Sequence, residues 1–210
     1  MYTYSMKKLY LRILELLFPS TEDQILLARA TEAHFAQKYL YKERDGVRYL
    51  ASFSDPQVKA AIHLNKFHKN TKARELLAIL LLHYLSQLPQ KSYVLIPIPL
   101  SSKRERTRGY NQVTIVAEKA LASSALQITL ETNVLKRIKH TKPQTSLTKE
   151  ARQTNLKDAF IVYKRDELIL KDTHIILLDD VTTTGATLNE AKAALFSCGA
   201  ASITCVALTS

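Results

Sequence analysis

The sequence has little cysteine, glycine or proline, and each shortage excludes a class of protein. Its two cysteines, Cys198 and Cys205, lack the CxxC spacing of a zinc site and are too few for a disulfide framework. We expect both to be small core residues. Four glycines and six prolines in 210 residues leave little room for linkers or low-complexity segments. The length fits one domain of ordinary size with an appendage.

The sequence also lacks an apolar run long enough to span a bilayer, so we expect no stable membrane insertion. Near the N-terminus, Lys7 and Lys8 precede an apolar stretch, but Arg12 and Glu15 interrupt it. This pattern indicates an amphipathic helix rather than a signal peptide. We therefore expect a cytoplasmic protein.

Positive charge, in contrast, is in excess. The 30 Lys and Arg against 19 Asp and Glu give a formal net charge of +11. Such an excess favours anionic partners, such as phosphorylated metabolites, nucleic acid or acidic lipid. Lysines scattered over a solvated surface need no partner, so the argument is stronger where the cations cluster.

The most informative segment runs from Ile175 to Thr187 and reads IILLDDVTTTGAT. Its apolar start, residues 175–178, indicates a buried strand of a parallel sheet. The strand ends on two carboxylates, Asp179 and Asp180, and a hydroxyl-rich turn follows. Beyond the turn, an apolar face predicts a helix that stops at Gly199. The order is therefore strand, acidic pair, turn and helix.

That order suits a sugar phosphate. A turn that opens a helix offers unpaired backbone N–H groups and the positive end of the helix dipole, which suits a phosphate. Carboxylates repel a phosphate, so Asp179 and Asp180 indicate a ligand that also has hydroxyl groups. A ribose 5-phosphate fits, because the carboxylates accept from its 2′- and 3′-hydroxyls while the turn holds its 5′-phosphate. The predicted phosphate-binding turn comprises Thr182, Thr183, Thr184, Gly185, Ala186 and Thr187.

Three other interpretations fit the segment less well. An ordinary helix N-cap needs one Asp or Thr, whereas six such side chains crowd this strand end. A nucleotide P-loop would continue with Gly-Lys-Ser or Gly-Lys-Thr, and a dinucleotide fingerprint would have more than one glycine in the turn. A sugar-phosphate site is the best interpretation.

A second segment, residues 101–112, is dense in cations. It reads SSKRERTRGYNQ and follows a predicted strand over residues 93–99. We predict a loop here, whose plain interpretation is a solvated basic loop. Its functional interpretation is a pyrophosphate clamp, because that anion needs several Lys or Arg donors. Ligands of open α/β sheets gather at the carboxyl ends of strands, which favours a clamp. We assign the clamp to Lys103, Arg104 and Arg108.

Strands that alternate with helices predict an α/β fold with a mainly parallel sheet flanked by helices. Residues 1–53 are interpreted as a small N-terminal α+β appendage with a hairpin at Asp45-Gly46, and residues 54–210 as the main domain. A helix predicted from Asp55 has several cations and His63 on or near one side, and we interpret His63 as a surface residue. Inside the main domain, residues 135–160 are polar and basic, as in functional lids or disordered segments.

Four pieces of the main domain resemble the ComF family of the type I phosphoribosyltransferase superfamily in order and spacing. They read IPIPLSSKRERTRGYNQ, LKRIKHTKPQTSLTKEARQTNLKDAF, LLDDVTTTGATLNEA and CGAASITCVAL. The resemblance implies a type I phosphoribosyltransferase fold and phosphoribosyl pyrophosphate (PRPP) as ligand. Many members carry a four-cysteine zinc ribbon after a Leu-Phe-Pro segment. Here Leu17-Phe18-Pro19 is followed by Ser20-Thr-Glu-Asp, so the zinc ribbon is absent.

The resemblance also implies roles for residues and a reaction. Asp179 and Asp180 would hold the ribose hydroxyls while a nitrogen nucleophile attacks C1 and pyrophosphate leaves. Mg²⁺ would sit mainly on PRPP oxygens, so no protein residue is assigned as a metal ligand. The sequence shows no residue that must act as a general base. The flexible lid would include Thr141, Gln144, Arg152 and Asn155.

The family is linked to natural transformation, which gives a second hypothesis. In this hypothesis the chain is a non-enzymatic competence factor that handles single-stranded DNA, has the competence machinery as partner, and only senses PRPP. The net charge of +11 supports it, whereas no aromatic-rich platform for stacking bases is evident. The acceptor of an enzymatic reaction and the oligomeric state, a homodimer included, stay open.

Overall fold

The computed structural model describes residues 21–138, 159–163 and 166–210. The helices are α1 (Glu22–Ala28), α2 (Glu32–Ala36), α3 (Pro56–Phe67), α4 (Thr71–Ser86), α5 (Ser102–Arg108), α6 (Gln112–Leu121), α7 (Glu167–Leu170) and α8 (Ala186–Phe196). The strands are β1 (Lys42–Arg44), β2 (Val47–Ala51), β3 (Tyr93–Pro97), β4 (Ile128–Leu130), β5 (Leu135–Arg137), β6 (Phe160–Val162), β7 (His174–Val181) and β8 (Ser202–Thr209).

Strand β7 lies inside a six-stranded sheet of order β1-β2-β8-β7-β3-β4. Every neighbouring pair is parallel except the β1–β2 hairpin. Successive side chains of β7 point to opposite faces, so Ile176 packs in one core cluster and Ile175 in the other. Helices α3, α4 and α6 cover the first face, and α8 covers the second. The predicted α/β fold with a mainly parallel, helix-flanked sheet is confirmed.

The predicted hairpin is also present, and it belongs to the main sheet. Asp45 and Gly46 both have positive φ, 54° and 71°, as a tight two-residue turn requires. Strand β2 then pairs in parallel with β8, with Val47 opposite Cys205. The predicted boundary between residues 53 and 54 stays a prediction, but β2, on its N-terminal side, extends the sheet of the main domain.

The predicted basic loop was wrong, because most of residues 101–112 is helical. Ser101 is the N-cap of α5, and its hydroxyl accepts a hydrogen bond from the N–H of Arg104 at 3.4 Å. Gly109 ends the helix in the left-handed conformation, with φ 73°. Arg, Lys and Glu are good helix formers, and caps at both ends favour a short helix in this polar segment.

Helix α3 begins as predicted, with Asp55 as its N-cap and Pro56 at its first position. Its N-terminal neighbours are α1 and α2, two short helices that bury Leu27 and Phe35 in the same core cluster as α4. The first described segment therefore packs on the face of the sheet that α3, α4 and α6 cover. Within the described ranges, no helix has the length and apolar character needed to cross a bilayer.

Candidate functional site: an acidic pair facing a cationic wall

The two carboxylates predicted from the sequence lie at the carboxyl end of β7. Asp179 pairs across the sheet with Ala207, and the strand continues to Val181, further than the apolar run had indicated. Asp180 is buried, with 5% of its surface exposed, and Asp179 is half-buried. The acidic pair therefore sits where open α/β sheets gather their ligands.

Asp180 is held by three donors from the protein. Its Oδ2 accepts a hydrogen bond from Nε2 of Gln112 at 2.8 Å and lies 3.1 Å from Nζ of Lys66. Its Oδ1 accepts from the N–H of Val181 at 2.7 Å. A buried carboxylate is tolerated only when paired and hydrogen-bonded, and these contacts supply both conditions.

Asp179 has fewer partners. Its Oδ1 accepts a hydrogen bond from the N–H of Asp180 at 2.8 Å, and its other oxygen has no hydrogen-bond partner among the described residues. Burial, followed by the negative charge of Asp180, raises the pKa of Asp179 to about 7, although Lys66 and Arg137 act in the opposite direction. Asp179 is thus the member of the pair that can accept from a ligand hydroxyl or contact a cation.

The hydroxyl-rich turn is shaped by its own threonines and by the hairpin. Oγ1 of Thr182 accepts from the N–H of Gly185 at 3.1 Å, and Arg44 of β1 donates to the carbonyl of Thr183 at 3.0 Å. Gly185 is the N-cap of α8, with φ 69° and no side-chain cap. The first N–H groups of a helix have no intrahelical acceptor, so this turn presents donors.

Besides Lys66 of α3, cations from α5 and β5 face the acidic pair. Arg108 of α5 donates through Nη1 to Oε1 of Gln112 at 2.7 Å, so Gln112 bridges this arginine and Asp180. Burial, with the nearby charge of Arg104, lowers the pKa of Arg108, whereas Asp180 raises it. Arg137 of β5 packs on the ring of Phe160, and burial followed by Arg104 lowers its pKa too, against Asp179. Cations crowded in this way favour an anion between them.

These groups line one cleft of about 700 Å³. The acidic pair and the turn contribute Asp179, Asp180, Val181, Thr183 and Thr187. Helix α5 and strand β5 contribute Arg104, Arg108 and Arg137. The opposite wall is formed by α1 and α3, through Asp23, Lys59, Ile62, His63, Lys66 and Phe67. The volume of the cleft falls in the range of small-molecule sites.

A family model described as the phosphoribosyl transferase domain matches residues 99–210. Over 164 residues the chain is 31% identical to DNA utilization protein YhgH of Salmonella typhimurium, an alignment that covers 73% of this chain and 68% of that protein. It is 40% identical over 97 residues to Competence protein F of Haemophilus influenzae. The chain belongs to the ComF family of phosphoribosyltransferase-fold proteins.

Coverage differs among these ComF relatives. The match to Competence protein F spans 46% of this chain and 41% of that protein. Competence protein ComFC of Bacillus subtilis is 36% identical over 113 residues, which is 54% of this chain and 42% of that protein. The chain thus aligns with less than half of the length of these two relatives.

The site of this ComF-family chain gathers part of the predicted set. Of the predicted residues, Asp179, Asp180, Thr183, Thr187, Arg104 and Arg108 line the cleft. Lys103 is exposed and lies outside the described residues that line it. Thr182, Thr184, Gly185 and Ala186 form the turn behind that lining. The predicted lid residues Thr141, Gln144, Arg152 and Asn155 lie outside the described residues.

Sequence reasoning missed the wall opposite the acidic pair. Gln112 ends the basic segment and was not singled out, although it joins Arg108 to Asp180. The sequence shows that the cations of α3 share one side of the helix. Helical spacing does not show which side of the helix faces the carboxyl ends of the strands. Lys66 was therefore not assigned to the site.

Proposed function

We propose that the chain binds PRPP together with Mg²⁺ and transfers the phosphoribosyl group to a nitrogen acceptor, with release of pyrophosphate. The observation that carries the proposal is the meeting of the acidic pair and the hydroxyl-rich turn with three arginines in one cleft of about 700 Å³. A ligand that fits this set carries hydroxyls, a terminal phosphate and a second, multiply charged phosphate group. PRPP has all three.

Each part of the ligand has a chemical counterpart in the cleft. Asp179 would accept hydrogen bonds from the ribose hydroxyls, because it has an oxygen without a described protein partner. Asp180, engaged with Lys66 and Gln112, would fix the position of Asp179 and of the cationic wall. The turn before α8 would hold the 5′-phosphate through backbone N–H groups.

Arg104, Arg108 and Arg137 would face the pyrophosphate. In the proposed reaction the bond between C1 and the pyrophosphate oxygen breaks, and its electron pair leaves with that oxygen. A bond forms between C1 and the acceptor nitrogen, which loses a proton. The guanidinium groups would stabilise the charge that develops on the leaving oxygen, which is where electrostatic catalysis acts most strongly.

The residues of the site fit Mg²⁺ through one carboxylate. Magnesium usually keeps several waters and is held by one or two carboxylates plus substrate phosphates. Asp179 would contribute that carboxylate, since Asp180 is already engaged by Lys66. When bound, the ion would neutralise part of the pyrophosphate charge.

Isothermal titration calorimetry of PRPP in the presence of Mg²⁺ tests the binding step. We expect uptake by the wild type, and an affinity at least about tenfold lower for Asp179→Asn if one charged hydrogen bond is lost. Asp172→Asn, at an exposed position with the same change of charge, is the matched control and should bind as the wild type does. No PRPP uptake by the wild type rejects the proposal.

Pyrophosphate release tests the transfer step. The protein, Mg²⁺ and PRPP are mixed with a panel of nucleobases and amines, and released pyrophosphate is measured. We expect release with at least one acceptor, and little with Asp179→Asn. PRPP uptake without release from any acceptor would leave a PRPP sensor and reject the enzyme.

A role in competence and DNA uptake is proposed from two facts. Relatives are named Competence protein F and DNA utilization protein, and helix α5 exposes Lys103, Arg104 and Arg106 on the protein surface. This second candidate function is handling of single-stranded DNA, with the competence machinery as partner. Affinity for a labelled single strand should fall steeply with salt, because phosphate contacts release counterions. No binding at low salt rejects it.

A further inference from the structure

The strongest unassigned feature of the cleft is a histidine oriented by a carboxylate. His63 lies on α3 and Asp23 in the first turn of α1, and Nδ1 of the histidine is 2.5 Å from Oδ2 of the aspartate. Both residues line the same cleft as the acidic pair. Half of the His63 side chain is exposed, and its other ring nitrogen has no hydrogen-bond partner among the described residues.

Helical geometry places His63 one turn from the lysine that contacts the acidic pair. Lys66 follows it by three residues on α3, hence on the same face and about one turn, roughly 5 Å, further along. Nζ of Lys66 is 3.1 Å from Oδ2 of Asp180. The ring of Phe67 lies 5.1 Å from the ring of His63 and is 60% exposed although it lines the cleft. The wall thus offers a proton acceptor beside a flat apolar ring.

We propose that His63, oriented by Asp23, accepts the proton of the nitrogen nucleophile. The inference rests on the proposed phosphoribosyl transfer and names the base of that reaction. His63 would be a catalytic residue in contact with the substrate, and Asp23 a positioning residue.

The proton has a complete path in this scheme. Asp23 accepts the Nδ1–H of the neutral imidazole, which leaves the lone pair on Nε2 free to act as the base. When C1 bonds to the acceptor nitrogen, the N–H electron pair stays with that nitrogen and its proton goes to Nε2. Pyrophosphate leaves with the pair of the broken C1–O bond. The exposed half of His63 then returns the proton to solvent.

Charged groups of both signs line the cleft around His63. They are Asp23, Asp179 and Asp180, Lys59 and Lys66 on its own helix, and Arg104, Arg108 and Arg137 across the cleft, with His68 at the C-cap of its helix. Asp23 supports the positive charge of the imidazolium once the proton arrives.

An ion pair that only ties α1 to α3 is the competing explanation, and the tautomer of His63 tests the orientation. In histidine-labelled protein, nitrogen NMR should show neutral His63 with its proton on Nδ1, and Asp23→Asn should shift this tautomer balance. A proton found on Nε2, or no response to Asp23→Asn, overturns the inference.

Kinetics test the proton transfer itself. Pyrophosphate release is measured with PRPP, Mg²⁺ and a panel of adenine, guanine, hypoxanthine, uracil and orotate, and also with water alone as nucleophile. His63→Gln should lower kcat by about 100-fold or more, as loss of a general base does. It should also change the acidic limb of the pH profile and leave only the part that comes from Asp179, while PRPP affinity measured by calorimetry changes less than about twofold. Free imidazole should restore part of the rate to His63→Ala.

His34→Gln, an exposed histidine on α2, is the matched control and should leave rate and profile unchanged. Turnover by His63→Gln at the wild-type rate, or with the acidic limb intact, overturns the role of His63 while the transferase survives. PRPP uptake without pyrophosphate release in any arm overturns both this role and the transfer. No PRPP uptake rejects the proposed function itself, so the failures are distinguishable.

Discussion

Nζ of Lys66 on helix α3 lies 3.1 Å from Oδ2 of Asp180 at the end of strand β7, and this contact joins the two walls of the cleft. The lysine side chain is 21% exposed and the aspartate side chain 7% exposed, so water screens the pair little. Gln112 binds the same carboxylate oxygen and connects it to Arg108. The position of the acidic pair therefore depends on a residue that lies before the sequence region matched by the domain family.

Replacing Lys66 with Met should destabilise the protein. Loss of one partner leaves a buried carboxylate without its cation, and we expect the free energy of unfolding to fall by roughly 2–3 kcal/mol, somewhat less than for a fully buried pair. Urea unfolding measures this change. PRPP affinity should fall as well, because the cation also faces the cleft.

Lys59→Met is the matched control, since Lys59 lies on the same helix and lines the cleft but is exposed. It should change stability by less than about 0.5 kcal/mol. A double-mutant cycle of Lys66→Met with Asp180→Asn should show a coupling energy of roughly 1 kcal/mol or more. Additive effects in that cycle would mean that the contact contributes nothing.

Gly185→Ala should weaken both the fold and PRPP binding. Gly185 has φ 69°, and an added Cβ would lie 3.1 Å from Cγ2 of Val47 on β2. We expect a loss of about 1–2 kcal/mol in stability from the backbone conformation and the close contact together. The displaced turn should also bind PRPP less tightly in calorimetry.

Gly46→Ala separates the two causes, because Gly46 has φ 71° with nothing within 4 Å of an added Cβ. It should show the conformational loss alone and leave PRPP affinity unchanged. Val47→Ala in the Gly185→Ala background should recover part of the binding. If Gly46→Ala impairs binding as much as Gly185→Ala, the turn has no special role.

Local patterns in the sequence predicted much of the site. The apolar run before Asp179 marked a central parallel strand, and the spacing of Leu188, Ala191 and Leu195 marked the buried face of α8. The turn at Asp45-Gly46 was equally local. Each of these signals lies within about ten residues, where the spacing of apolar and turn residues predicts the element.

The parts that failed depend on longer range or on competing signals. The density of charge in residues 101–112 led to the prediction of a loop. The structure has a helix there, capped by Ser101 and Gly109, so the capping signals outweighed the polarity. The meeting of α3 with the end of β7 joins Lys66 to a residue 114 positions later, and no local pattern encodes it. His63 was predicted to be a surface residue and is exposed, but its position beside the cleft depends on the same long-range packing.

Asp55→Ala should loosen α3 and with it the wall opposite the acidic pair. Asp55 accepts from the N–H groups of Gln57 and Val58 at 2.9 and 3.0 Å and pairs with Lys38 at 2.7 Å. We expect a loss of about 1–2 kcal/mol in the free energy of unfolding. Glu32→Ala, in the exposed first turn of α2, should cost less than half as much.

The contribution of Asp55 to stability should depend on pH. Burial raises its pKa, but hydrogen bonds from Lys38, Val58 and Gln57 outweigh burial, so the net pKa is lowered. The unfolded chain therefore takes up the proton first as pH falls, and the contribution, full at neutral pH, is lost below about pH 4. A stability difference between wild type and Asp55→Ala that stays constant from pH 7 to pH 3 would contradict this account.

Asp179 should give the opposite pH dependence. Its pKa is raised to about 7, so between about pH 4 and pH 7 the folded protein keeps a proton that the unfolded chain has lost. Its contribution to stability is present below pH 4 and is lost as pH rises through 7. The side chain of Asp179→Asn stays neutral at every pH. We therefore expect the free energy of unfolding of this variant to exceed that of the wild type by roughly 1–2 kcal/mol at pH 8 and by little at pH 4. Urea unfolding at the two pH values measures this difference, with Asp172→Asn as control. A difference that does not change with pH would show that burial does not destabilise the ionised carboxylate.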